Sequence, residues 1–389
     1  MNELRSDIER MITPSWLTSV PSNLGEPSHG KLKADQWRIL GTTYLPISLT
    51  RLWSQLEDDD ERSKLLAMTL SLVSAVIIAS SRTTSRENAG LYLHHMQTYL
   101  AGLRKLFPLY KFLPNHHMAL HLPEYLCLYG PVHSWWTFPF KHLIGMLQRI
   151  PNNFQDSKFH EISCLSLSKS FKGQMEATIS NSFTDASNLR ALLLKEGCPV
   201  AVRNCHKIFA KLVDPQTRNS LLTDMSHFVT DNETEEPPLE IKGKMTVTEV
   251  TFRALEAYFQ GKPLAVAKVL SSYVMDGLTF STFKRHKGNS FILVRCSSRH
   301  AVPARIEDII RTSSNEVLFV VQHFLKTTSN DPFQRYPVLQ ASLWSDRLGR
   351  TAIVKPQDVV CHFACLSLEW GDANCLAVIS LSRVFSLFN

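Results

Sequence analysis

The chain has 389 residues, 44% of them hydrophobic and 20% charged, with a net charge of +7 and a sequence pI near 8.9. That apolar content, with 10% aromatic residues, excludes wholesale disorder and is enough for two or three domains. Eight cysteines spread singly exclude the dense disulfide framework of a small secreted domain and read as reduced thiols. The basic balance is compatible with nucleic acid but does not by itself establish binding.

Residues 1–34 read as an opening segment. Met1 to Met11 form a short helix, and Pro14, Pro21, Gly25, Pro27 and Gly30 then interrupt regular structure. The first ten residues are charged and lack an apolar h-region, so no signal peptide is expected. Residues 35–230 read as mainly helical. Asp35 is a candidate N-cap before Trp37, Ile39 and Leu40, and Pro46 interrupts that segment. The acidic run from Asp58 to Glu61 suits the positive end of a helix whose apolar stretch, Leu65 to Ser80, is shorter than a membrane span and carries Thr69, Ser71 and Ser74. A buried helix is expected there. Leu91, Met96, Tyr99, Leu100 and Leu103 give a helical stripe over Ser85 to Phe107. Beyond the turn at Gly130-Pro131 come Trp135, Trp136, Phe138 and Phe140, then a helix ending at Ile150. Four aromatics without an interleaved Arg or Lys read as core rather than as a base-stacking platform.

Residues 231–240 are acidic and proline-containing and read as a linker. Residues 241–389 then change character. A helix carrying Val247, Val250, Leu255 and Tyr258 precedes short strands at Ser290 to Cys296, Ala301 to Ile310, Val317 to Phe324, Leu339 to Trp344, Thr351 to Val354 and Val359 to Leu366. Strands of this length and spacing predict a small barrel. The expected class is α+β, with a mainly helical N-terminal region and a C-terminal β-barrel.

Candidate chemistry is sparse. His116, His117, His121 and Glu124 form a polar or metal-binding candidate, since His117 and His121 would share one face of a helix. Met118 stands where a metalloprotease needs Glu, and Pro114 and Pro123 leave little room for a long helix, so polar-network histidines are the plainer reading. Cys361, His362 and Cys365 make one Cys-His-x-x-Cys without a second pair, and buried thiols are expected. Lys284, Arg285 and Lys287 are a candidate nucleic-acid contact or a solvated hairpin end. Nucleophile elbow, Walker loop and dinucleotide fingerprint are all missing from the sequence.

Four runs carry a resemblance. They are Gly30 to Arg38 with Leu45-Pro46-Ile47 and Leu52-Trp53; Pro114 to Glu124; Gly130-Pro131-Val132-His133-Ser134-Trp135-Trp136-Thr137-Phe138-Pro139-Phe140; and Gly173 to Thr178. Together they resemble the C-terminal part of CACTA (En/Spm)-type transposases of basidiomycete fungi, over most of residues 1–200. The resemblance implies a ribonuclease H-like enzyme with two Asp and one Glu holding two divalent metals, which stabilise attacking and leaving oxygens. It puts both Asp upstream of this chain, makes 35–230 a truncated half with its helical insertion, and places Lys141 at the position of the Glu. A charged lysine cannot ligate Mg²⁺, so a catalytically inactive protein is expected, with Mg²⁺ relevant only to an active one. Residues Ala304 to Ile309, Val317 to Phe324, Leu343 to Asp346 and Val359 to Cys361 also resemble, in pattern, a bromo-adjacent-homology (BAH) barrel.

Three functions stand as alternatives: an inactive remnant that binds DNA or chromatin, a metal-dependent subunit completed by another chain, or a transposon-derived interaction module. A second copy or a full-length transposase is the expected protein partner. A soluble protein of the nucleus or cytoplasm is expected, without a membrane span. The resemblance also makes 154–171 an insertion, either genuine or an unspliced intron. If it is an intron, sequencing of mature message finds the tract absent; its presence in spliced message makes the insertion genuine.

Overall fold

Two side-chain caps start the longest helices. The structure, a computed structural model, describes residues 1–26, 31–137, 188, 249–260, 266–297 and 300–382. The Asp60 carboxylate accepts the Arg62 backbone N–H at 2.8 Å, and helix α4 (Glu61–Ala79) begins there. Ser85 Oγ accepts the Asn88 N–H at 3.1 Å, opening α5 (Arg86–Leu106). Around them lie α1 (Asn2–Arg10), α2 (Ala34–Ile39), α3 (Leu45–Trp53) and α6 (Pro114–Tyr129). Asp35 lies within the first turn of α2 rather than at its cap. Pro46 does not interrupt the chain either: it occupies the first turn of α3, where its missing N–H costs nothing, and a π-helical turn (Leu40–Tyr44) joins the two helices.

By length and composition α4 could cross a membrane. In the fold it buries Leu66, Leu70, Val73, Ala75 and Ile78 against α3, α5 and residues Tyr336 to Leu339.

Among the described residues, the C-terminal part holds α7 (Glu249–Tyr258), a short α8 (Lys287–Ser290) and nine strands. These are β1 (Val266–Leu270), β2 (Ser272–Met275), β3 (Leu278–Ser281), β4 (Phe291–Ser297), β5 (His300–Thr312), β6 (Val317–Lys326), β7 (Ala341–Val354), β8 (Val359–Trp370) and β9 (Ala373–Ser380). The sheet order β5-β4-β8-β9-β7-β6 closes through β5–β6 pairing into a six-stranded antiparallel barrel. The α+β class and the barrel stand as expected. The runs expected at Leu339 to Trp344 and Thr351 to Val354 are one strand, β7, because Gly349 lies inside its ladder with β6 rather than in a turn.

β6 and β8 lie on opposite sides of this ring, so the contact of Phe324 with Phe363, ring centroids 6.3 Å apart, crosses the interior. Phe291, Cys365, Leu376 and Val378 join them there. The alternate residues Ala364, Leu366, Cys375, Ala377 and Ile379 face the other way, and they too are buried. Their cover is the N-terminal segment: Ile8, Met11, Leu17, Val20 and Leu24, with Ile39, Leu40, Tyr44 and Ile47 behind. Residues 1–26 are therefore part of the main core. Compactness groups Met1–Trp135 with Asn232–Asn389, and Trp136–Asp231 separately. The expected linker, 231–240, lies outside the described residues.

A strap of residues 12–16 fixes this docking. Ile12 and Cys365 exchange backbone hydrogen bonds of 2.9 and 3.1 Å, using the β8 edge beyond the end of β4. Asn289 accepts the Ser15 N–H at 2.7 Å and donates to Ser15 Oγ at 3.0 Å. The Trp16 indole donates to His362 Nδ1 at 3.3 Å. Because indole only donates, Nδ1 must be the acceptor, so His362 is neutral with its proton on Nε2. His362 also stacks on Phe280 at 4.4 Å. Burial pushes its pKa down to about 4, against a smaller upward pull from the backbone at Asn289 and Thr279.

The strap and the buried histidine can each be tested. A Cβ at Gly288 would collide with the Thr13 carbonyl oxygen, backbone against backbone, whereas one at Gly90 meets nothing within 4 Å. Gly288→Ala should cost about 3 kcal/mol by overpacking, and Gly90→Ala, at an exposed position in the second turn of α5, should gain about 0.5–1 kcal/mol. Chemical denaturation of both variants checks the contrast. For His362, the unfolded chain binds more protons than the fold between the ordinary value of 6.5 and about 4. The stability due to its burial in the neutral form is thus complete above that window and declines as pH falls through it, by roughly 3 kcal/mol in all. His362→Phe, which leaves the Trp16 N–H without its acceptor, should be about 1–2 kcal/mol less stable at neutral pH. The gap should close on acidification, as thermal melts from about pH 7 to about pH 4.5 would show.

Candidate functional site

Helix α6 carries the histidine candidate. Pro114 occupies its first turn, and the Leu113 backbone N–H donates to His116 Nδ1 at 3.0 Å, closing the helix start. The His116 ring stacks with Tyr99 and meets the edges of Tyr110 and Phe112. His116 is thus a capping and packing residue.

Pro123 does not end the helix, contrary to the expectation that the two prolines leave little room for it. Proline has no N–H to give the Ala119 carbonyl four residues back. The Tyr92 hydroxyl of α5 supplies the missing donor at 2.9 Å. Burial pushes that hydroxyl up to about 12, so it stays protonated. The helix continues to Tyr129, and Gly130, at φ +76°, turns the chain. On its exposed face His117 Nε2 and His121 Nε2 lie 3.2 Å apart, and Glu124 Oε2 lies 3.9 Å from His121 Nδ1. Three of the four sequence candidates therefore converge, and His116 stands apart. Among the described residues, no group of three or more His, Cys, Asp or Glu is placed to share one metal ion.

The basic candidates sit where β3 leads into α8. Lys284, Arg285 and Lys287 are exposed, and among the described residues none pairs with a carboxylate. Arg285 reaches Ser271 Oγ at 2.5 Å, and Lys287 lies 5.8 Å from the centre of the Phe283 ring. Arg305 packs closer on that ring, at 4.2 Å, and is held by Glu307 at 2.6 Å. His286 in the same run is structural, because its Nδ1 accepts the Asn289 N–H at 3.1 Å.

Cys361, His362 and Cys365 do not converge. Both cysteines are free and buried, burial pushes both thiols up, and Cys361 Sγ lies 3.3 Å from Ser380 Oγ. They serve as barrel side chains, as expected from strand alternation. Trp135 meets the edges of Tyr125 and Tyr129 and donates to the Gly130 carbonyl at 3.1 Å. Lys141, Phe138, Phe140, the helix expected to end at Ile150 and the tract at 154–171 lie outside the described residues.

Sequence reasoning missed one feature, a cleft of 720 Å³ between Arg10, Arg51 and Gln55 on one side and Asp346, Glu369 and Asn374 on the other. Its residues come from α1, from α3 and the turn after it, and from the β7 to β9 region more than 290 positions away, so no local pattern could reveal it. The buried Asp7 carboxylate holds Arg10 at 2.7 Å and Arg51 at 3.0 Å. Arg51 also holds Glu3 at 2.9 Å and, by that hydrogen bond and its charge, lowers the Glu3 carboxyl pKa.

The Tyr92 contact makes a paired prediction. Tyr92→Phe should leave the Ala119 carbonyl unsatisfied and cost about 1–2 kcal/mol. Adding Pro123→Ala restores a helical donor and should recover most of that loss, which denaturation of the single and double variants measures. No family model matches this chain, and no curated protein and no solved structure matches it.

Proposed function

We propose that this chain is a transposon-derived, CACTA transposase-like protein that no longer carries a catalytic centre and that binds DNA through its C-terminal barrel. The observation that carries the binding is the run Lys284, Arg285 and Lys287. Three exposed cations fall within four residues, with no carboxylate partner among the described residues, beside a ring already packed under Arg305. Surface lysines and arginines that have no carboxylate partner among the described residues are available to phosphate oxygens. Each phosphate neutralised releases a condensed counterion. The turn is held by the His286 cap and the Ser15–Asn289 pair, so little ordering would be needed on binding.

The transposase-like part rests on the four sequence runs, with Lys141 where the family's metal-binding Glu is expected. It makes the helical region a truncated ribonuclease H-like half and the nucleus the place of action. The closed antiparallel barrel agrees with the BAH-like pattern and supports chromatin as the setting.

Anisotropy of a labelled duplex tests the proposal. Affinity should fall steeply between about 50 and about 200 mM salt, and the triple variant Lys284→Ala, Arg285→Ala, Lys287→Ala should flatten the log–log slope by about 2–3. Mg²⁺ should produce no strand cleavage. A wild-type chain that fails to bind duplex even at low salt removes the DNA reading, and metal-dependent cleavage removes the inactive one.

A further inference from the structure

We infer that His117 and His121 form a two-histidine chelate for a borderline transition-metal dication such as Zn²⁺, with Glu124 as the positioning residue for His121. The inference does not rest on DNA binding. Its basis is the separation of the two Nε2 atoms, 3.2 Å, on one exposed helix face. A cation held about 2.0–2.1 Å from each imidazole nitrogen needs those nitrogens about 2.9–3.4 Å apart, the range between right-angled and tetrahedral coordination. The i, i+4 spacing on α6 supplies that distance without movement of the backbone.

The proton inventory also fits. Two neutral imidazoles whose Nε2 atoms face each other share one N–H···N hydrogen bond. Glu124 Oε2, 3.9 Å from His121 Nδ1, favours the proton on that Nδ1 and leaves His121 Nε2 as a lone pair. His117 Nε2 is then the donor in the metal-free protein. Metal binding requires only that His117 move its proton to Nδ1, and the cation takes the place of the shared proton. The carboxylate, histidine and metal then stand in the order common at zinc sites. His121 and Glu124 are open to solvent, with side-chain exposures of 42% and 71%, so water completes the coordination. Imidazole pairs favour Zn²⁺, Ni²⁺ and Cu²⁺ over Mg²⁺, which prefers oxygen ligands.

The helix is anchored independently of the pair. His116 closes its start and Tyr92 bridges its proline, and neither residue would touch the cation. Substitution of His117 or His121 therefore removes a ligand and leaves the fold in place.

Calorimetric titration of the full chain with zinc chloride tests this. Wild type should bind one more micromolar equivalent than either His117→Ala or His121→Ala, and added zinc should raise the wild-type melting temperature more than that of the variants. Glu124→Gln should keep the equivalent but weaken it about tenfold, and magnesium chloride should do neither. Equal zinc stoichiometry and affinity in wild type and both histidine variants, all with unchanged far-ultraviolet spectra, overturns the inference. His117→Gln and His121→Gln repeat the test with polar side chains of similar reach should either alanine variant melt early.

Discussion

The docking of the N-terminal strap over Gly288 is the constraint on which the rest depends. Strands β8 and β9 are apolar on both faces, so closing the barrel satisfies only half of their side chains. The other half needs a cover, and the cover comes from the opposite end of the chain. Ile12, Ser15 and Trp16 register that cover against Cys365, Asn289 and His362. The fit leaves no room for a methyl group at Gly288, so strap and barrel form as one unit or neither is complete.

A second attachment runs the other way. The connection between β6 and β7 sends Val338 and Leu339 into the α4–α5 core, while Phe333 joins the cluster under the strap. Asp331 holds this connection by accepting the Phe333 and Leu343 N–H groups at 2.9 and 3.1 Å. The helices and the barrel are thus tied at two places far apart in sequence. Between Arg10, Arg51 and Gln55 on one side and Asp346 and Glu369 on the other lies the cleft, and the buried Asp7 holds both of its arginines. A buried carboxylate of that kind contributes little net stability while paired but is costly once either partner is lost.

Much of this was readable in the residues. The helices after the acidic run at Asp58 to Glu61 and from Ser85, and the strands β4, β5, β6 and β8, came from local chemistry, as did the barrel, whereas the cap expected at Asp35 did not form. The unreadable parts share one physical cause, namely a partner distant in sequence. Pro123 looks like a helix breaker until Tyr92 is placed beside Ala119. The opening segment looks like irregular chain until β8 is seen to need covering. Apart from His362, the run Cys361 to Leu366 is apolar rather than alternating, a sign that both faces of the strand are buried. That sign implied a cover but could not identify it. At the histidine cluster the spacing of His117 and His121 was legible, and the separate role of His116 was not, because it depends on Tyr99 and Tyr110.

The same physics sorts the polar residues into those bound to the fold and those left to solvent. His362 and His286 each commit Nδ1 to the fold, to Trp16 and Asn289, and His116 caps a helix. Each is fixed by burial or by a backbone donor and serves to hold its element in place. His117, His121, Lys284, Arg285 and Lys287 lie at the surface of elements those first residues hold rigid. A turn capped by His286 presents three cations, and a helix closed by His116 and bridged by Tyr92 presents two facing imidazoles. Rigid presentation lowers the entropy that a ligand must overcome, so modest surface groups can bind with useful strength. The structural histidines therefore matter to both proposed sites: loss of one should weaken binding through disorder of the element, while loss of a surface residue should weaken it with the fold intact.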